Sequence, residues 1–138
     1  MAKSRHLDAI GQLTAATDLN AYTFVVLDPS TQSWRLALAA DSVSETNLVG
    51  VVQQDAVAGE TVNVMTKGQT KLQFDAAIIS TVGSNAGKIG AAVGIHATAG
   101  SGIVGVASTA ASVRANVYGV ITDEVAAADS IGSIYLTA

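Results

Sequence analysis

The chain contains no cysteine. That excludes a disulfide framework and any thiolate metal site, and it removes redox chemistry as a guide to compartment. Aromatic residues make up only 4% of the sequence, so a core must be filled by small and medium side chains. Charged residues are 13%, with a net charge of −4 and a pI near 4.8. The seven cations, Lys3, Arg5, Arg35, Lys67, Lys71, Lys88 and Arg114, are scattered. Direct nucleic-acid binding needs a concentrated basic face, so none is expected. No uninterrupted apolar stretch of about 18 residues occurs, which a membrane-spanning helix would need. Residues 1–10, "MAKSRHLDAI", carry two cations with no apolar run behind them. A secretory signal is therefore not expected, and synthesis inside the cell fits.

What is present is 138 residues, 49% hydrophobic, most of them Ala and Val, with 13 Gly. Mean hydropathy is +0.42. The length suits one domain able to close its own core. Small side chains make thin packing layers, so partner subunits would help such a chain bury enough area.

Period-two alternation dominates. Strands are expected at 22–28, 33–39, 48–54, 61–66 and 69–75 in the first half, and at 91–97, 102–108, 117–122 and 132–138 in the second. Pro29-Ser30 and Lys67-Gly68 read as turns. The best helical candidates, 6–13 and 109–115, are short. The pattern predicts an all-β fold, a compact β-sandwich or small β-barrel. A flexible N-terminal arm over 1–12 would precede a single β domain over 13–138.

The sequence also repeats itself. "NLVGVVQQDAVAGETV" at 47–62 returns as "NVYGVITDEVAAADSI" at 116–131, an offset of 69. Sliding 21–62 onto 90–131 needs no gap: Gly50 falls on Gly119, Val52 on Ile121 and Asp55 on Glu124. Each unit has an apolar strand reaching a Gly, where backbones approach or a bulge forms. A polar acidic linker follows, whose carboxylates would keep the turn wet, and then a second strand. Two such pseudo-repeats paired about a pseudo-twofold would bury both apolar faces.

The phrase "GVVQQDAVAGETVNV" at 50–64, preceded by the entry strand "AYTFVVLD" at 21–28 and echoed by "YGVITDEVAAADSIGSIYL" at 118–136, resembles the small decoration, or cement, proteins of tailed-bacteriophage heads. The resemblance covers residues 12–138. It implies a structural virion protein, made in the host cytoplasm and located on the outer surface of the head. Such a protein, commonly a homotrimer, bridges neighbouring major capsid protein subunits and reinforces the shell. Family members often touch the capsid with a terminal arm, a role open to residues 1–10, although these show no strand pattern. No catalysis and no cofactor are implied.

The residues themselves agree. A greasy chain with few charges exposes sticky surface unless it assembles, and homo-oligomers are usually closed and cyclic. The rival reading is a carbohydrate- or host-surface-binding module of a virion appendage. Sugar-binding faces favour exposed aromatics, whereas most here stand in strand-core register.

Chemistry-bearing motifs are weak. "GSGIVG" at 100–105 fits G-x-G-x-x-G but lies in a Gly-rich β stretch where a dinucleotide site needs a helix start. His6 and His96 stand 90 residues apart, a poor basis for a shared metal. No Gly-x-Ser-x-Gly elbow occurs, and Asp123-Glu124 reads as a solvated linker rather than an acid/base pair. Candidate capsid or subunit contacts are Lys3, Arg5, His6, Trp34 and Arg35. Trp34, the single Trp, alternates with Leu36 and Leu38; it can anchor a core or serve as an interface hot spot, where Trp and Arg are enriched. Tyr22, Tyr118 and Tyr135 carry the same two readings.

Overall fold

"YTFVVLD" runs into Asp28-Pro29, and the chain turns there because the Asp28 side chain holds the turn. Its Oδ1 accepts from the Ser30 N–H at 2.9 Å and from the Ser30 hydroxyl at 2.7 Å. The Gln32 N–H closes the loop on the Asp28 carbonyl, with Gln32 in the left-handed region at φ 54°. Strands β1 (Phe24–Asp28) and β2 (Ser33–Leu36) pair across this four-residue connection. The structure, a computed structural model, describes residues 13–38, 48–74, 87–95, 107–109, 117–125 and 131–137.

The other elements are β3 (Val49–Val52), β4 (Val64–Met65), β5 (Gly68–Gln73), β6 (Ala92–Ile95), β7 (Ala107–Ser108), β8 (Gly119–Ile121) and β9 (Ile131–Leu136). Among the described residues there is no helix. The expected helices at 6–13 and 109–115 lie, but for Leu13 and Thr109, outside those residues. Two antiparallel sheets form, in the orders β2-β1-β3-β4 and β5-β9-β8-β6-β7. A sandwich, not a barrel, results. Phe24, Val26, Val49 and Val51 of the first sheet share one core with Leu72, Val93, Ile95, Ile121, Ile134 and Leu136 of the second. The chain passes from one sheet to the other at a corner, where only Thr66 and Lys67 separate β4 from β5. Gly68 takes φ 119° there, a conformation that a side chain would strain.

The first sheet is buried on its far face as well. Val25, Trp34, Val52 and Val64 meet Ala15, Leu19, Ala56 and Val62 in a second core. This core is closed by residues 13–19, which run as a strap over β2 and the β3–β4 loop. Thr14 and Ala16 bond to Trp34 of β2, Ala15 donates to Glu60, and Leu19 and Ala56 exchange both backbone hydrogen bonds. Burial on two faces explains why β3 reads VGVV with all four residues buried, a continuous run rather than an alternation.

Four strands of the second sheet match the order of the first: β2-β1-β3-β4 corresponds to β7-β6-β8-β9, and β5 at the far edge has no counterpart. Local hydrogen bonds correspond too. Tyr22 N–H bonds to Val52 O, and Gly90 N–H to Ile121 O; Val52 N–H bonds to Thr23 O, and Ile121 N–H to Ala91 O; Ala56 N–H bonds to Leu19 O, and Val125 N–H to Gly87 O. Tyr22 and Gly90 both have positive φ, at 66° and 93°. The offset is 68 on the β1/β6 side and 69 on the β3/β8 side, so the register departs from the gapless slide. Direction departs as well. The pair Val25–Gly50 belongs to the face that carries the second core, whereas Val93–Gly119 belongs to the face that carries the inter-sheet core. Corresponding faces therefore point the same way, as in a stack, and not toward each other as a pseudo-twofold requires. Tyr118 breaks the alternation of its strand. Its N–H bonds to Val93 O while Gly119 is the register partner of Val93. This two-against-one bulge turns the ring inward, 5.9 Å from Phe24.

Candidate interaction surface

The phrase at 50–64 folds as β3, a long loop and β4. Its carboxylates do more than keep a turn wet. Asp55 Oδ1 accepts from the Ala21 N–H at 2.8 Å, Asp18 Oδ1 from the Ala58 N–H at 2.9 Å, and Glu60 Oε1 from the Val57 N–H at 2.8 Å. The first two are reciprocal: the strap's acid caps the loop, and the loop's acid caps Ala21, two residues past the strap. Carboxylates accepting from backbone N–H groups make the stronger class of hydrogen bond. Backbone bonds from Glu60 N–H to Val57 O and from Gly59 N–H to Ala15 O complete the brace. The apolar tip Val57-Ala58 is thereby held out in water, with Val57 54% exposed. A shallow cleft of about 220 Å³ lies between Asp18, Asp55 and Glu60. Among the described residues, no group of three or more His, Asp or Glu is placed to hold a metal ion.

The sequence-derived candidates separate. Lys3, Arg5 and His6 lie outside the described residues, as do His96 and "GSGIVG". Trp34 is fully buried in the second core. This corrects its candidacy as a contact, because its apolar face is spent on Leu19, Ala56 and the strap side of β1. Its expected alternation partners diverge, with Leu36 half-buried and Leu38 exposed. Arg35 is half-buried at the sheet rim. Its Nη1 donates to the Leu36 carbonyl at 3.2 Å, and its Nε lies 4.0 Å from Asp28 Oδ2. The Ser30 hydroxyl and N–H, with help from the Arg35 charge, hold the Asp28 carboxyl below the usual carboxylate range. Of the tyrosines, Tyr118 is core, Tyr22 sits half-buried at its turn, and Tyr135 is exposed. Glu124 pairs with Lys88 at 2.8 Å on the surface.

The residues that sequence reasoning missed are Asp18 and Val57. Asp18 acts on a residue 40 positions away, a separation that no local pattern encodes. Val57 looked like linker, and its fixed exposure follows only from the three braces around it. In comparisons with known proteins, no family model matches the chain, and neither a curated protein nor a solved structure matches it.

Proposed function

We propose that this protein is a non-catalytic structural component of a tailed-phage head, binding the outer surface of the shell and stabilising it by bridging major capsid subunits. The observation that carries this reading is the braced loop at 53–63. The phrase behind the resemblance presents an exposed apolar tip, Val57-Ala58, on a backbone fixed by Asp18, Asp55 and Glu60. A preorganised tip loses little entropy on docking, and many identical sites on a shell sum modest contacts through avidity. Other large apolar side chains, Ile89 and Val117 among them, are also exposed and suit contact with a second surface.

Mixing the purified protein with undecorated shells tests this. Binding should saturate at a fixed stoichiometry and raise the temperature at which shells rupture. Val57→Asp should weaken binding at least tenfold while leaving the melting temperature of the free protein unchanged. Absence of binding, with shells of unchanged heat resistance, overturns the proposal. Selective binding to a glycan array with no affinity for shells moves the function to host-surface recognition.

A further inference from the structure

The braced loop carries a charge pattern that holding its tip in place does not require. Asp18, Asp55 and Glu60 each engage a backbone N–H through one oxygen. Among the described residues, their second oxygens have no hydrogen-bond or ion-pair partner. All three residues are exposed. Arg35 is the only Lys or Arg between Arg5 and Lys67, and it stands beside Asp28, at the end of β1 remote from Ala21. The loop and strap thus present charge of one sign. A bare acidic patch is no more than a solvated face. Here the carboxylates surround an apolar group. Val57, 54% exposed, donates its N–H to Glu60 and forms part of the wall of the cleft, about 220 Å³, that Asp18, Asp55 and Glu60 line.

We propose that the surface on which this tip docks is an apolar socket bordered by Lys or Arg side chains of another protein. This rests on the shell-binding reading above and names the chemistry of the capsid patch that the reading requires. Charge complementarity picks the border. An acidic border would meet the carboxylates with like charge, and an apolar one would desolvate their free oxygens without giving them partners. The cleft offers a long cationic side chain a bed, with its methylenes along Val57 and its head among the carboxylates. The backbone amides already fix those carboxylates. Ion pairs to them form without the full loss of side-chain freedom that leaves most surface pairs weak.

Two measurements of the full chain on undecorated shells test this. Raising salt from about 0.1 to about 1 M shortens the screening length from about 10 Å to about 3 Å and should weaken binding about tenfold. Asp18→Asn, Asp55→Asn and Glu60→Gln keep an oxygen for each amide and remove charge alone. Each should weaken binding about two- to fivefold, with Trp34 emission unchanged as the sign of an intact fold. The triple variant should lose most of the salt dependence. Val57→Lys should weaken binding more than Val57→Asp, because it brings a like charge to the border. Binding indifferent to salt and to all three neutral variants overturns the cationic border and leaves the shell-binding reading standing. Tighter binding after neutralisation also overturns it, since the border is then acidic. Shells that bind nothing at any salt overturn the shell-binding reading and this proposal with it. Should a variant fail to fold, the salt titration of the unaltered chain decides.

Discussion

Replacing Leu19 by alanine tests whether the second core exists as described. Leu19 is 1% exposed, sits among Val25, Trp34, Val52 and Ala56, and is tied at its backbone to Ala56 in both directions. The substitution removes three carbons, a transfer loss of about 2.4 kcal/mol at about 0.8 kcal/mol each. A cavity term adds to this because strap and loop are pinned by hydrogen bonds and cannot collapse freely. The expected cost is about 3–4 kcal/mol, a large fraction of a stability of about 5–15 kcal/mol. The melting temperature should fall by about 10–15 °C. Urea unfolding followed by Trp34 fluorescence is the natural assay, because the ring lies in the same cluster and reports directly on it. Val57→Ala, at the exposed tip, is the control and should change stability by less than about 0.5 kcal/mol. A loss below about 1 kcal/mol for Leu19→Ala would mean that residues 13–19 do not close a core, and the account of β3 as a strand buried on both faces would go with it.

Asp18→Ala and Asp55→Ala should each cost about 0.5–1.5 kcal/mol, and a double-mutant cycle should give a coupling of about 0.5 kcal/mol or more because both brace one loop; strict additivity would separate them. Gly50→Ala should destabilise by about 1–3 kcal/mol in a thermal melt, since a Cβ there meets the Val64 side chain and stands 2.9 Å from the Met65 carbonyl oxygen; a neutral result refutes that close approach. The Asp28 carboxyl should titrate by NMR below the usual value of about 3.9, and Ser30→Ala should move its midpoint upward. Its folded pKa is the lower one, so the stabilisation it adds is complete above the unfolded value and is lost as pH falls through the folded value. Stability at pH 7 and at pH 5.5 should then show no contribution from Asp28 to any difference.

Much of the strand layout was legible because apolar residues at period two mark extended chain with at least one packed face. β1, β5 and β9 fall within a residue or two of where alternation places them. Shortfalls arise where tertiary contacts override the pattern. The expected strand at 22–28 starts at Phe24 because Tyr22 takes positive φ to bond with Val52. The expected strand at 61–66 keeps only Val64 and Met65, since Thr61 and Val62 are drawn into the strap contacts. The echo of Gly50 in Gly119 carries no information on direction. Identity of residues along a strand does not say which way its face looks once the units are stacked. The second core was hidden because Ala15, Leu19, Ala56 and Val62 are apolar residues at irregular spacing in polar surroundings, which reads as loop. The carboxylate braces were hidden for a related reason: an acid in a turn looks solvated until its amide partner, 34 or 40 residues distant, is known.

Enclosing the first sheet between two cores has a consequence for water. The amides of β1 and β3 have neighbouring strands on both edges and packed side chains above and below, so a small local opening gives solvent no route to them. Their protons should exchange with deuterium only when the whole molecule comes apart. The rate at those few positions would then read out the global unfolding free energy, while β5, at the rim of the other sheet, would surrender its label far sooner.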